Sequence, residues 1–172
     1  TGITPLREGV EAAREPAGAF TVIREEYTNP QPSMHSLDRW TKIHLSFYTP
    51  DRRVNVALTD NGSGLKASAH SPGCSVEMRY LQYGYDGDER HLFDAMRTAL
   101  RVLVEQCGSS MEAPAAYQRQ LEAAEADFPA AVRAMKAWVT EKFGARTERC
   151  IPHDPDEMPW LGTMHYSDPC GP

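Results

Sequence analysis

Residues 74–107, CSVEMRYLQYGYDGDERHLFDAMRTALRVLVEQC, begin and end with cysteine and change their hydrophobic pattern in the middle. Over residues 75–83 apolar and polar side chains alternate, which predicts a strand. Over residues 88–107 the apolar side chains recur every three or four positions instead, which predicts a helix with one buried face. The stretch is therefore expected to form one strand–turn–helix unit.

The lengths of this predicted strand and helix bring the two cysteines together. At ~3.3 Å per residue the strand covers roughly 27 Å. At ~1.5 Å per residue the helix returns by roughly 29 Å. Because the two distances nearly cancel, we expect Cys107 to lie beside Cys74 and to form a disulfide with it. The alternative is a pair of buried free thiols, since unpaired cysteine is often buried.

Upstream of this unit, alternating patterns predict four further strands. They cover Phe20–Tyr27, Trp40–Tyr48, residues 54–58 and residues 65–70. Asn61 and Gly62 separate the last two, and this dipeptide favours the tight turn of an antiparallel hairpin. The sequence thus predicts a sheet of about five strands, mostly antiparallel.

Downstream of the strand–turn–helix unit, the sequence patterns predict further helices. Ser109 and Glu112 have the spacing of a capping box, and the segment after Pro114 is rich in good helix formers. Asp127 followed by Pro129 predicts the start of a last helix, because proline suits the first helical turn. Strands that precede helices, rather than alternate with them, indicate an α+β fold in which two or three helices pack on one face of the sheet.

Composition divides the chain into three segments. Residues 1–18 contain two prolines and three glycines and are expected to form a loosely attached N-terminal arm. Residues 19–149 form the predicted α+β domain. Residues 150–172 are rich in proline and have no periodicity, so we expect a C-terminal loop packed on the domain.

The polar face of the predicted sheet is a candidate site for acid–base chemistry. Lys42 and His44 alternate with apolar residues, and Arg24 and Glu26 are expected on the same face. A histidine beside a carboxylate such as Glu26 can transfer protons. The alternative is an ordinary solvated sheet face, which is what this pattern usually means.

The C-terminal segment contains two cysteines and two histidines. Cys150, His153, His165 and Cys170 have the residue types of a tetrahedral zinc site. The alternatives are a Cys150–Cys170 disulfide, with no cofactor, or free thiols. Given the predicted Cys74–Cys107 bridge, the disulfide is favoured, and the four cysteines then form two pairs.

Charge and motifs narrow the possible functions. The chain has 172 residues and a net charge of −6, and Arg52–Arg53 is its only basic cluster, which argues against nucleic-acid binding. No apolar run approaches the ~20 residues of a membrane span. The sequence also lacks the GxSxG, phosphate-loop and HExxH motifs, so an enzyme is the less favoured class.

These observations favour a non-enzymatic domain that binds or inhibits another protein in the periplasm or outside the cell. Bacterial immunity proteins and secreted inhibitors share its size and charge, which is an analogy at that level only. Four aromatic residues in predicted loops or strand ends are the candidate binding residues, because tyrosine and tryptophan dominate protein interfaces. They are Tyr83, Tyr85, Trp160 and Tyr166. The alternative function is a small enzyme or zinc site in the C-terminal segment.

Overall fold

The computed structural model describes residues 3–7, 10–29, 39–78 and 89–144. Within them the chain forms an antiparallel sheet followed by three α-helices, which confirms the α+β prediction. The strands are β1 (Ile3–Arg7), β2 (Val10–Ala17), β3 (Phe20–Thr28), β4 (Arg39–Tyr48), β5 (Asn55–Asp60), β6 (Leu65–Ser71) and β7 (Cys74–Glu77). The helices are α1 (Glu89–Cys107), α2 (Pro114–Ala123) and α3 (Phe128–Phe143).

Each strand pairs with the next one along the chain, so the sheet is a simple meander in the order β1 to β7. The turn between β5 and β6 is one of its short connections. Between β5 and β6 the Asp60 carboxylate accepts a hydrogen bond from the Gly62 amide at 2.8 Å, and Gly62 has a φ of 93°. Glycine adopts this left-handed conformation without steric cost. The predicted hairpin at Asn61–Gly62 is therefore confirmed.

The segment predicted as a loosely attached arm supplies β1 and β2. The second of these pairs with β3 along its whole length, from Val10 opposite Tyr27 to Ala17 opposite Phe20. Its sequence, VEAAREPA, alternates weakly because three of its apolar residues are alanine, and alanine favours helix. Its strand structure thus follows from pairing with β3, a long-range contact that a local pattern does not reveal.

The hydrophobic core lies between one face of the sheet and the helices. Helix α1 packs on β5, β6 and β7, whereas α3 packs on β2, β3 and β4. A cluster of aromatic rings joins the two halves. Phe128 of α3 lies 5.5 Å from the ring of Phe20 and 5.0 Å from that of Phe93, with edge-to-face packing in both pairs. All three phenylalanines are at most 2% exposed.

The starts of the later helices differ partly from the prediction. The expected capping box at Ser109 and Glu112 is wrong, because residues 108–110 form a 3-10 turn and α2 begins at Pro114. Asp127 does precede α3, and Pro129 occupies its first turn. The Asp127 carboxylate does not cap the helix, however. It accepts a hydrogen bond from the Ala19 amide at 2.9 Å.

This contact ties the β2–β3 turn to the start of α3. Gly18 of the turn has a φ of 61°, and a Cβ at this position would overlap the Asp127 carboxylate. Only glycine therefore allows the turn to approach so closely.

The predicted contact between Cys74 and Cys107 is confirmed. Their Cα atoms are 6.5 Å apart, and their sulfur atoms lie within disulfide distance. Cys74 begins β7 and Cys107 ends α1, so the bridge joins the last described strand to the helix that packs on it. Residues 79–88, which include the end of the predicted strand, lie outside the described residues.

None of the described helices is both long enough and apolar enough to cross a membrane.

Candidate functional site on the open face of the sheet

The two faces of the sheet differ in what covers them. Alternate residues such as Phe20, Ile43 and Leu58 point to the helices and belong to the core. The residues between them point away from the helices and form what we call the open face. On β3 to β7 they are Thr21, Ile23, Glu25, Tyr27, Trp40, Lys42, His44, Ser46, Tyr48, Asn55, Ala57, Thr59, Lys66, Ser68, His70, Ser75 and Glu77.

Arg24 and Glu26 were predicted on this polar face but lie on the helix side instead, so that part of the prediction is wrong. Lys142 of α3 donates a hydrogen bond to Glu26 at 2.9 Å. This bond is the main cause of a lowered pKa of the Glu26 carboxyl. Arg24 lies 5.7 Å from the ring centre of Trp138 and 3.6 Å from Glu141. The end of α3 reaches this part of β3 and gives polar strand residues partners on the helix side.

A trough crosses the middle of the open face. Its floor consists of Ser46, Ala57 and Ser68, which are register partners on the neighbouring strands β4, β5 and β6. Their small side chains are only 5%, 4% and 8% exposed. Larger side chains stand on both sides, and the cavity between them has a volume of ≈ 340 Å³. One wall consists of His44, Thr59 and Lys66, and the other of Tyr48, Asn55 and His70.

His44 in the first wall contacts a carboxylate and a hydroxyl group. Its Nδ1 lies 2.9 Å from Thr59 Oγ1, and its Nε2 lies 3.2 Å from Glu25 Oε1. The second contact has the distance of an ion pair but not the angles of a hydrogen bond, and Nε2 is buried without another partner. A histidine–carboxylate pair was predicted here with Glu26. The carboxylate is Glu25 instead, because odd-numbered residues of β3 share the face of His44.

Three further polar side chains of the trough, those of His70, Lys66 and Asn55, are held by bonds within the sheet. His70 Nε2 lies 3.2 Å from Ser68 Oγ, and Lys66 donates to Glu77 at 3.2 Å. Asn55 donates from Nδ2 to the carbonyl of Phe47 at 3.3 Å. The side chains are thus partly oriented before any ligand binds.

An aromatic corner, consisting of Tyr27, Trp40 and Lys42, lies at one end of the open face. The rings of Tyr27 and Trp40, opposite each other on β3 and β4, are stacked with centres 5.5 Å apart and an interplanar angle of 16°. The Lys42 ammonium lies 5.0 Å from the centre of the Trp40 ring. Within the described ranges, no carboxylate lies within ion-pair distance of Lys42. The alternation in WTKIH already placed Trp40 and Lys42 on one face, but only the register shows that Tyr27 joins them.

The other predicted site residues lie outside the described residues. These are the aromatic residues Tyr83, Tyr85, Trp160 and Tyr166, and the possible zinc ligands Cys150, His153, His165 and Cys170. Among residues 3–7, 10–29, 39–78 and 89–144, no three His, Cys, Asp or Glu side chains form a group that could hold a metal ion. The zinc site of the C-terminal segment stays a prediction.

Comparisons of the chain with protein-family models, with curated proteins and with solved structures find no significant match.

Proposed function

We propose that this chain is a non-enzymatic domain that binds, and by binding inhibits or neutralises, another protein in the periplasm or outside the cell. The observation that carries the proposal is the aromatic corner of Tyr27, Trp40 and Lys42 on the open face. The partner protein docks there, over the ends of β3 and β4.

The chemistry of the corner suits a protein interface. Tryptophan and tyrosine are the residue types that contribute most to binding energy at interfaces. Stacking of Trp40 on Tyr27 fixes both rings, so less conformational entropy is lost when a partner covers them. Lys42 adds a cation without a carboxylate partner among the described residues, and it can pair with an acidic group of the partner protein.

The cysteines support the proposed compartment. Structural disulfides persist in oxidising environments and are rare in the cytosol. The Cys74–Cys107 contact joins a strand to the end of a helix, where it stabilises the fold rather than serving an exposed reactive site. The periplasm or the cell exterior is therefore the proposed location.

A capture experiment with matched variants tests the proposal. The oxidised domain is immobilised and exposed to the exported proteins of the source organism, and any captured protein is then purified for quantitative binding. Lys42→Glu reverses a charge in the corner, and Lys136→Glu makes the same change on the exposed side of α3. We expect Lys42→Glu to weaken binding at least about tenfold, as expected for a central interface residue. Lys136→Glu should bind like wild type.

Capture alone would not support the proposal, because it does not locate the contact. Equal binding by wild type and both variants would show that the aromatic corner is not the interface. If no exported protein binds the oxidised domain, the protein-binding function itself is wrong.

A second candidate is an enzyme, favoured by the Thr59–His44–Glu25 arrangement. A hydroxyl, an imidazole and a carboxylate in sequence are the parts of an activated nucleophile. It ranks second because the contact between His44 Nε2 and Glu25 lacks hydrogen-bond geometry. Ester hydrolysis that is lost in Thr59→Val and retained in Thr59→Ser would favour it. Bound zinc in elemental analysis would favour the other enzyme hypothesis, at the C-terminal segment.

A further inference from the structure

We infer that the trough across the open face binds a neutral saccharide. This inference does not rest on the proposed protein partner, because the aromatic corner shares only Lys42 with the lining of the trough and the inference does not use Lys42. Three features of the trough support it: the neutral polar groups near the floor, the polar groups with incomplete hydrogen bonds, and the shape of the cavity.

The polar groups nearest the floor are neutral. Ser46 and Ser68 provide hydroxyl groups on the floor, and Thr59 and Asn55 provide a hydroxyl and an amide in opposite walls. Hydroxyl and amide groups both donate and accept hydrogen bonds. Sugar hydroxyls also do both, so they match such a surface group by group. A carboxylate or phosphate ligand would instead require converging cations. Of the two lysines that line the cavity, Lys66 is paired with Glu77 and Lys42 lies over the Trp40 ring.

Three polar side chains of the trough, those of Ser46, Asn55 and His44, have unused hydrogen-bonding capacity. The Ser46 hydroxyl makes no side-chain hydrogen bond to the described residues, and Asn55 uses its Nδ2 but leaves its Oδ1 without a partner there. His44 Nε2 is buried and lacks a hydrogen bond of good geometry. A buried polar atom without a partner is costly.

The shape of the trough favours a sugar over a peptide. Its cavity of ≈ 340 Å³ lies within the range of small-molecule sites. The trough runs across the strands, and the backbone groups beneath it are used in the sheet, so a peptide could not add as a new strand. Tyr48 in one wall is 40% exposed and offers an apolar ring beside the polar groups. Such a combination of ring and hydrogen-bonding groups suits the two faces of a pyranose.

Titration with three neutral disaccharides tests the inference. Maltose, cellobiose and N,N′-diacetylchitobiose are added to the isotope-labelled oxidised protein up to about 10 mM, which detects weak binding, and amide chemical shifts are followed by NMR. We expect at least one of them to shift the amides of Ser46, Ala57 and Ser68. Ala57→Leu, which fills the floor, should weaken this binding at least about tenfold. Ala115→Leu, the same change on the exposed surface of α2, should leave it unchanged.

Several outcomes would overturn the inference. These are no binding by any of the three disaccharides, shifts confined to residues away from the trough, or equal binding by wild type and Ala57→Leu. If Ala57→Leu does not fold, Asn55→Ala replaces it, because Asn55 stands in the wall and its truncation leaves the floor intact. A negative result leaves the capture experiment unaffected, because that experiment concerns Lys42.

Discussion

The two faces of the sheet show the same alternation in sequence, but the side chains that surround them differ. On the helix side, Ile43, Leu45 and Leu58 are fully buried by side chains of α1 and α3. On the open face Ser46 and Ala57 are nearly as buried, yet they are small and their neighbours stand above them. The helix side is thus filled with side-chain volume, whereas the open face leaves a cavity. Among the described residues, this difference supports the proposal that one face stabilises the fold and the other binds a ligand or partner.

The largest expected effect compares one aromatic residue from each face. Phe128→Ala removes the ring that joins Phe20 to Phe93 in the core, and a buried phenylalanine replaced by alanine costs about 3–5 kcal/mol. Tyr48→Ala, on the open face, should cost about 1 kcal/mol, because Tyr48 is 40% exposed and the change removes strand propensity and a contact with Arg52 rather than core packing. Urea unfolding followed by circular dichroism measures both. Similar losses in the two variants would mean that the open face also contributes to the core.

Much of the helix side could be predicted from the sequence. The alternation of Ile43, Leu45 and Phe47 fixed both the strand and its buried face, and the 3.6-residue period fixed α1. The strand structure of β2 could not be predicted, because its alanines carry little hydrophobic signal and its pairing with β3 is a long-range contact. The side occupied by Arg24 was also missed, although it follows from the alternation with the buried Phe20 and Val22; only its contacts with α3 depend on where that helix lies.

The candidate site was less predictable than the fold. A cross-strand row such as Ser46, Ala57 and Ser68 exists only once three strands are in register, and register depends on turns and pairing partners. The sequence predicted a carboxylate near His44 but named Glu26 instead of Glu25. The contact of Cys74 with Cys107 was predicted from the lengths of a strand and a helix; the contact is confirmed, whereas β7 covers only Cys74–Glu77 of the predicted strand and residues 79–88 lie outside the described residues.

The next effect concerns the bridge that holds β7 against α1 on the helix side. Cys74 and Cys107 are 33 residues apart. A disulfide that closes a loop of this length stabilises a protein by about 3–4 kcal/mol, mainly by restricting the unfolded chain. We expect the double variant Cys74→Ala, Cys107→Ala to lose about this much in chemical denaturation, with little change in far-UV circular dichroism.

Addition of a reductant serves as the control for the bridge. It should lower the stability of wild type and have a smaller effect on the double variant, in which only the remaining cysteines can respond. If the double variant is as stable as oxidised wild type, the two cysteines are not bridged in solution. The argument for an oxidising compartment would then fail.

The smallest expected effect arises where a wall of the trough meets the helices. The turn between β4 and β5, which follows Tyr48, contains Asp51. The Asp51 carboxylate accepts a hydrogen bond from the buried hydroxyl of Tyr117 in α2 at 2.6 Å and one from Thr49 at 2.7 Å. These bonds, that of Tyr117 first, lower the pKa of Asp51 from its ordinary value of 3.8. The same contact raises the pKa of Tyr117 from 10.0.

The direction of these shifts sets the pH dependence of stability. Since the pKa of Asp51 is lower in the folded state, its contribution is fully present above pH 3.8 and is lost as the pH falls through the folded-state value. The raised pKa of Tyr117 makes its contribution present below pH 10.0 and lost as the pH rises further. The difference in stability between wild type and Tyr117→Phe should therefore be constant near neutral pH and shrink at both extremes. Thermal unfolding between pH 3 and pH 11, about one unit beyond the two ordinary values, measures it. Asp51→Asn should show the same pH dependence. If the difference in stability between wild type and either variant does not vary with pH, Asp51 and Tyr117 do not make this contact in solution.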